Sequence, residues 1–243
     1  MHGLILAGGE GRRLAADGVA GPKSLMRIGG RPQLTRLVET FEALGSESLT
    51  CMVRDDVPAS LLAEAGLSRT RVVRCHTVSS LHTLVLGFAE IPFGHVFCTM
   101  VDTVMPWHEW LRAWTACAGA LAQGAPVVLV VAPVPATDPH PLCVHTDAAG
   151  HVTGLDSDTR GAEWATAGVY GFGRDARARA PRAVAEGVER MRGFLSVLVR
   201  EGAQIPLVTV ERALDVDRRE DLEAANAWIA AWRATAPRRG GPE

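Results

Sequence analysis

The sequence predicts an α/β protein: a three-layer sandwich around a mostly parallel mixed sheet, with a small antiparallel insertion over one edge. Three observations carry that expectation. Short apolar runs alternate with segments of helical periodicity over most of the chain, the pattern of repeated βαβ units. The run 96–101 is apolar but for Thr99, as suits a strand of a parallel sheet covered on both faces. Between 142 and 172 the alternation breaks and hairpin chemistry replaces it.

Each element follows from its residues. The run Leu4-Ile5-Leu6-Ala7 is a first strand that enters a glycine-rich turn, Gly8-Gly9-Glu10-Gly11-Arg12-Arg13. Leu34, Leu37, Val38, Phe41 and Leu44 recur at helical spacing, and Gly45 ends the pattern where a left-handed residue closes helices. Strands are expected at 49–53 and 72–75, with a helix near 60–65 between them. Ser79 and Ser80 precede Leu81, Leu84, Val85 and Phe88, the pattern of a capped amphipathic helix. The strand at 96–101 ends at Asp102, a helix follows at 107–121, and 127–131 is the most strand-like run in the chain. Runs 142–145 and 152–155 flank Asp147-Ala148-Ala149-Gly150 and read as a hairpin. A strand at 164–172, helices at 174–186 and 194–200, a strand at 205–210 and a helix at 218–232 complete the order.

With 243 residues and 47% hydrophobic content, the chain can bury one large core, expected to be a single domain over 1–233 with a disordered tail at 234–243. The net charge of −2 gives no basic footprint for nucleic acid or an anionic membrane. Cys51, Cys75, Cys98, Cys117 and Cys143 are dispersed and form no Cys-x-x-Cys pair, so they read as reduced thiols rather than a disulfide or zinc framework. No apolar run reaches the length of a membrane helix, and the first strand starts too early for a signal peptide; a cytoplasmic enzyme is expected. Oligomeric state is left open, with a homo-oligomer possible.

The chemistry concentrates at the glycine turn and at Gly21-Pro22-Lys23-Ser24-Leu25. Gly8, Gly9 and Gly11 let the backbone approach a bulky anion with its N–H groups exposed. Arg13 offers a planar fork and Lys23 a compact charge, a set suited to polyphosphate. A P-loop is excluded because Pro22 occupies its glycine position, and a dinucleotide fingerprint lacks its third glycine at Leu14. The alternative is a turn with two solvated arginines.

The stretch Leu6-Ala7-Gly8-Gly9-x-Gly11-x-Arg13-Leu14, then Pro22-Lys23-x-Leu25, then Ile28-Gly29-Gly30-Arg31-Pro32, resembles the nucleotidyltransferases that activate phosphorylated metabolites. That family includes sugar 1-phosphate nucleotidyltransferases, small-metabolite cytidylyltransferases and the guanylyltransferase of the molybdenum cofactor. The resemblance implies a Rossmann-like fold and transfer of an NMP from an NTP to a phosphorylated acceptor, as in NDP-sugar biosynthesis. It places the nucleotide on Leu6, Ala7, Gly8, Gly9, Gly11, Arg13 and Lys23, with the 76–80 loop, including Ser79 and Ser80, as the other wall for the base. It identifies Arg13, Lys23 and Asp102 as catalytic, with Mg²⁺ on Asp102 and Asp217. The acceptor wall would include Glu163, Thr166 and Gly168.

Alternatives remain at several of these positions. Ser79 or Ser80 is equally a helix N-cap. Asp217 with Glu220 has capping-box spacing, and Asp215 could replace Asp217 as a ligand or stand behind it. Two carboxylates with substrate phosphates and waters suit Mg²⁺. Leu155-Asp156-Ser157-Asp158 lacks the lysine with which sugar-activating members reach the acceptor phosphate, so the acceptor is a sugar or polyol phosphate of unspecified kind. A CTP-specific enzyme for phosphocholine or a phosphonate is the first alternative. A nucleotide-sugar glycosyltransferase is the second, and a non-catalytic nucleotide sensor the third.

Overall fold

Alternation along the first strand sets the layers. In the computed structural model, which describes residues 1–67, 70–135 and 141–235, β1 (His2–Ala7) sends Ile5 and Ala7 into one core and Leu4 and Leu6 into another. The chain continues through α1 (Arg12–Ala16), a 3₁₀ turn at Lys23–Leu25, the short pair β2 (Arg27–Ile28) and β3 (Arg31–Pro32), and α2 (Gln33–Ala43). Next come β4 (Leu49–Arg54), α3 (Ala59–Glu64), β5 (Arg71–Cys75), α4 (Ser80–Ala89), β6 (Val96–Met100), β7 (Thr103–Val104) and α5 (Trp107–Ala122). Then follow β8 (Val127–Pro133), β9 (Cys143–Thr146), β10 (Val152–Asp156), β11 (Trp164–Phe172), α6 (Arg174–Ala185) and α7 (Met191–Arg200). The last elements are β12 (Leu207–Thr209), β13 (Leu214–Asp215) and α8 (Arg219–Thr235).

β5, β4, β1 and β6 are mutually parallel neighbours. β11 lies antiparallel between β6 and β8, and β12 adds parallel to β8. The first residues of β11 also pair with β9, which forms the expected antiparallel hairpin with β10. The sheet is therefore the mixed, mostly parallel one that the sequence predicts. One face is packed by Leu34, Leu37 and Phe41 of α2 and Trp110, Ala113, Cys117 and Leu121 of α5. The other is packed by Leu81 and Leu84 of α4, Ala176 and Ala180 of α6, and Phe194, Leu195 and Leu198 of α7. Trp110 and Trp114 of α5 pack edge-on with Phe97 in the first of these cores.

Several boundaries differ from expectation. The glycine turn is followed at once by α1, a short helix that glycine content conceals. α7 begins at Met191 rather than 194. The strand expected over 205–210 shortens to Leu207–Thr209, because Pro206 has no N–H and contributes only its carbonyl, which accepts from Leu129. α8 extends to Thr235, so the tail expected at 234–243 begins as helix, and its residues from 236 lie outside those described. The five cysteines are free thiols, four of them buried, and burial pushes the Cys117 thiol up to about 12. Among the described residues, no helix is long and apolar enough to cross a membrane.

Candidate active site

β1 and β6 run side by side in one direction, with Leu6 in register with Met100 and the Val101 N–H bonded to the Leu6 carbonyl. Gly8 and Asp102 therefore leave the sheet together at its carboxyl edge, where open α/β sheets bind ligands. Gly11 holds φ +63°, and a Cβ there would stand 3.0 Å from Cβ of Lys23. The turn thus needs glycine both for its left-handed backbone and to let the Lys23 segment close in.

A third, small core gathers the remaining parts. Leu14, Met26, Ile28, Val104, Val216, Ala225 and Ile229 form one buried cluster. Leu14 follows Arg13, Met26 follows the Lys23 turn, Val104 lies just beyond Asp102, and Val216 precedes Asp217. Burying these apolar residues together forces their polar neighbours to a common rim. β13 pairs with β7, and the Val216 N–H donates to the Asp102 carbonyl at 3.1 Å, which clamps the late acidic segment onto the strand end.

At that rim, Lys23 Nζ donates to Asp102 Oδ2 at 2.5 Å and also to Asp217 Oδ1, 194 positions away in sequence. Arg13 Nη1 donates to Asp217 Oδ2 at 3.1 Å. The Lys23 side chain is 8% exposed and that of Asp102 15%, whereas Arg13 and Asp217 are about half open to solvent. Burial alone would lower the Lys23 pKa, but the charges of Asp102 and Asp217 outweigh it and raise the ammonium above its usual value. Burial likewise opposes ionisation of Asp217, yet Lys23 and then Arg13 hold its carboxyl below the ordinary range. Two fixed cations and two fixed anions therefore meet at one point.

Of the two readings open for Asp217, the capping box with Glu220 is not the one formed: Asp221 caps α8. Asp221 Oδ2 accepts the N–H groups of Asp217 (3.0 Å) and Arg218 (2.8 Å), which leaves the Asp217 carboxylate to face Lys23 and Arg13. Asp215 turns to Thr103, whose hydroxyl donates to it at 3.4 Å and to the Ala167 carbonyl at 3.2 Å. Gly168 sits in a bulge of β11 at φ +69°, directly against this pair. Thr166 donates its N–H to the Leu142 carbonyl, and Glu163 is an exposed residue just before β11.

Ser79 and Ser80 hold two segments together. Ser79 is the N-cap of α4 and its hydroxyl donates to the Glu189 carbonyl, while Ser80 Oγ accepts the Met191 N–H at 3.1 Å. Gly8 instead faces Thr83 and Thr77, whose hydroxyls are 2.6 Å apart. Thr83 lies one turn along α4, and the apolar spacing of that helix does not mark it. On the acceptor side, Arg192 Nη1 donates to Ser157 at 3.0 Å, placing a guanidinium beside the loop that lacks a lysine.

The convergence of Asp102 and Asp217 on one Nζ tests the fit of a divalent cation. Two oxygen ligands already point at a single cation position, and hard oxygen donors suit Mg²⁺. A separate group, His108, Glu109 and Glu211, also brings three possible ligand atoms within 4.8 Å of one another. There Glu109 is fully buried; its Oε1 accepts the Glu211 N–H at 2.8 Å, and its Oε2 lies 3.5 Å from Arg112 Nε without a hydrogen bond.

Residues 3–170, the span that contains the glycine turn, Lys23 and Asp102, match the model of the MobA-like NTP transferase domain. The chain belongs to that family. It is a transferase of nucleotidyl groups, as the resemblance of the opening motif implies. Among solved structures, the inositol-1-phosphate CTP transferase from T. maritima is similar with TM-score 0.74 and 16% identity, over 97% of this chain and 98% of that one. A protein described as a glucose-1-phosphate thymidylyltransferase from Bacillus anthracis, in complex with sucrose, gives TM-score 0.80 and 13% identity over 100% and 98%. A search of the curated proteins finds no match. At these identities the structural neighbours establish the fold, and the NTP transferase domain carries the activity.

Proposed function

We propose that this nucleotidyltransferase moves an NMP from an NTP to a phosphorylated sugar or polyol, forming an NDP conjugate and releasing pyrophosphate. The observation that carries the reading is the meeting of Arg13, Lys23, Asp102 and Asp217 at the carboxyl edge of the sheet. Arg13 and Lys23 stand where the charge of a polyphosphate needs compensation, and Lys23 is kept protonated by its two carboxylates. Asp102 and Asp217 would hold Mg²⁺, which when bound supplies charge neutralisation and a common anchor for phosphate oxygens.

An acceptor phosphomonoester is largely ionised at neutral pH, its second pKa being near 6, so its oxygen needs no base. Attack on the α-phosphorus in line with the leaving pyrophosphate then asks the protein only to orient two anions and offset their charge. The backbone of Leu6, Ala7 and Gly8 orients the base, and Lys23 remains protonated as the leaving charge develops. Thr166 and Gly168 border the acceptor side beside Asp215, with Arg192 available near Ser157. That the neighbours are named for inositol 1-phosphate and glucose 1-phosphate supports an acceptor of this class.

The test is pyrophosphate release from a panel of NTPs paired with sugar and polyol phosphates in Mg²⁺. Activity with at least one pair, lost in Asp102→Ala, is the expected result. Full turnover by Asp102→Ala would remove the metal assignment, and sugar transfer without pyrophosphate would replace the reading with a glycosyltransferase.

A further inference from the structure

Lys23 and Asp102, which meet through their side chains, are joined a second time behind the site. The Met26 N–H closes the Lys23 turn on the Lys23 carbonyl at 3.3 Å, and the Met26 carbonyl accepts the N–H of Gln33 at 2.9 Å. Gln33 opens α2, and its Nε2 donates to the Thr103 carbonyl at 2.7 Å. Thr103 follows Asp102, whose Oδ2 accepts from Lys23 Nζ. Lys23, Met26, Gln33, Thr103 and Asp102 thus form a closed ring, in which the Gln33 amide is the link that crosses from the lysine segment to the aspartate segment. A carbonyl can only accept, so the amide is fixed with Nε2 toward Thr103. Gln33 is 2% exposed, and its Oε1 is buried with no hydrogen-bond partner among the described residues. It borders a cavity of about 20 Å³, lined also by Arg36, Thr40, Thr103 and Trp107, with room for one water. For stability alone, an apolar side chain of the same shape would serve this place as well as a half-met amide. What the amide adds is a fixed position for the Thr103 carbonyl.

We propose that Gln33 is a positioning residue for nucleotidyl transfer: by tying Thr103 to the start of α2, it sets the separation of Lys23 Nζ and the Asp102 carboxylate. The inference rests on the reading of Lys23 and Asp102 as the groups that offset the polyphosphate and hold the metal, and adds the residue that spaces them. Being buried, Gln33 acts through these two groups. Their placement matters because a shift of about 1 Å at reacting groups can cost about 100-fold in rate.

Two measurements on the full chain test this. In the free protein the Lys23 ammonium is buried and bonded to two carboxylates. Its protons should exchange slowly enough for a proton–nitrogen NMR signal, identified by its loss in Lys23→Met. Gln33→Met keeps the length and removes the donor; it should speed that exchange about five- to tenfold, the worth of one neutral hydrogen bond. With an active pair of NTP and acceptor phosphate, kcat should fall at least about tenfold while nucleotide affinity, measured by calorimetry, changes less than about twofold. A purely structural role would lower the melting temperature and move neither quantity in the folded protein. Gln33→Asn, which withdraws the amide by one methylene, serves if the methionine variant fails to fold. An unchanged ammonium signal in a folded variant overturns the proposal, as does an unchanged kcat where the signal has changed. A wild type that turns over no pair overturns the proposed function and with it the role of Gln33 in transfer, while the ammonium signal still reports the ring, so the two failures are distinguishable.

Discussion

Gly168→Ala places a methyl group where the site has no room for one. Its Cβ would stand 2.3 Å from Thr103 Oγ1 and 3.2 Å from Asp215 Oδ1, at a backbone φ of +69°. Thr103 is fully buried and cannot swing into solvent. The left-handed conformation costs a non-glycine residue about 1–2 kcal/mol. Pushing the Thr103 hydroxyl off its bonds to Ala167 and Asp215 adds about 1–2 kcal/mol, so the total is roughly 2–4 kcal/mol. For a chain of this size that lowers the melting temperature by roughly 5–15 °C. Turnover should fall as well, because Thr103 directly follows Asp102. Urea denaturation of Gly168→Ala, Thr103→Ala and the double variant separates the contributions. The double variant removes the collision but keeps the backbone strain, so it should be less destabilised than the sum of the singles by at least about 1 kcal/mol. Strict additivity, or a cost below about 1 kcal/mol for Gly168→Ala alone, would refute the steric account.

Four further outcomes are expected. Lys23→Met leaves Asp102 and Asp217 facing each other without their shared ammonium; turnover should drop at least about 100-fold, and Mg²⁺ without nucleotide should raise the melting temperature more than in the wild type. An equal Mg²⁺ response in both would show that the carboxylates do not share a cation position. Asp221→Ala removes the cap over Asp217 and Arg218 and should cost about 1 kcal/mol, read by urea denaturation, with reduced kcat; unchanged stability would contradict the cap. Ile229→Ala cuts into the small core behind the site and should cost about 2–5 kcal/mol, and a value under about 1 kcal/mol would mean that this cluster does not hold the loops. Asp147 accepts the His151 backbone N–H and then meets its ring, which lowers its pKa below the ordinary aspartate value of 3.8. The hairpin stabilisation from this carboxylate is present above 3.8 and fades as pH falls through the lower folded value. An NMR titration midpoint for Asp147 at or above 3.8 would contradict it.

Much of the layout was legible because it is local. Apolar periodicity placed the strands at 96–101 and 127–131 and the helix carrying Trp110 within a few residues of β6, β8 and α5. The turn at Asp147–Gly150 was readable from its own residues, since Gly150 takes φ +83° and its N–H returns to the Asp147 carbonyl at 3.0 Å. α1 and the early start of α7 were missed because glycines and arginines at their first turns hide helical spacing. Spacing offers Glu220 as one capping partner, whereas the folded chain brings Asp221 to the N–H groups of Asp217 and Arg218.

The sequence by itself determined the reaction class, because a glycine turn, Arg13, Lys23 and Asp102 are chemical types at readable positions along the chain. Only the tertiary structure decided that Asp217 rather than Asp215 faces Lys23, that Ser79 and Ser80 are tied to the segment before α7, and that Thr77 and Thr83 stand beside Gly8. The reason is physical. Which of two neighbouring aspartates points at the site depends on which way Val216 must turn to reach the core it shares with Leu14, Met26 and Ile229, and burial of that kind is a property of the assembled chain.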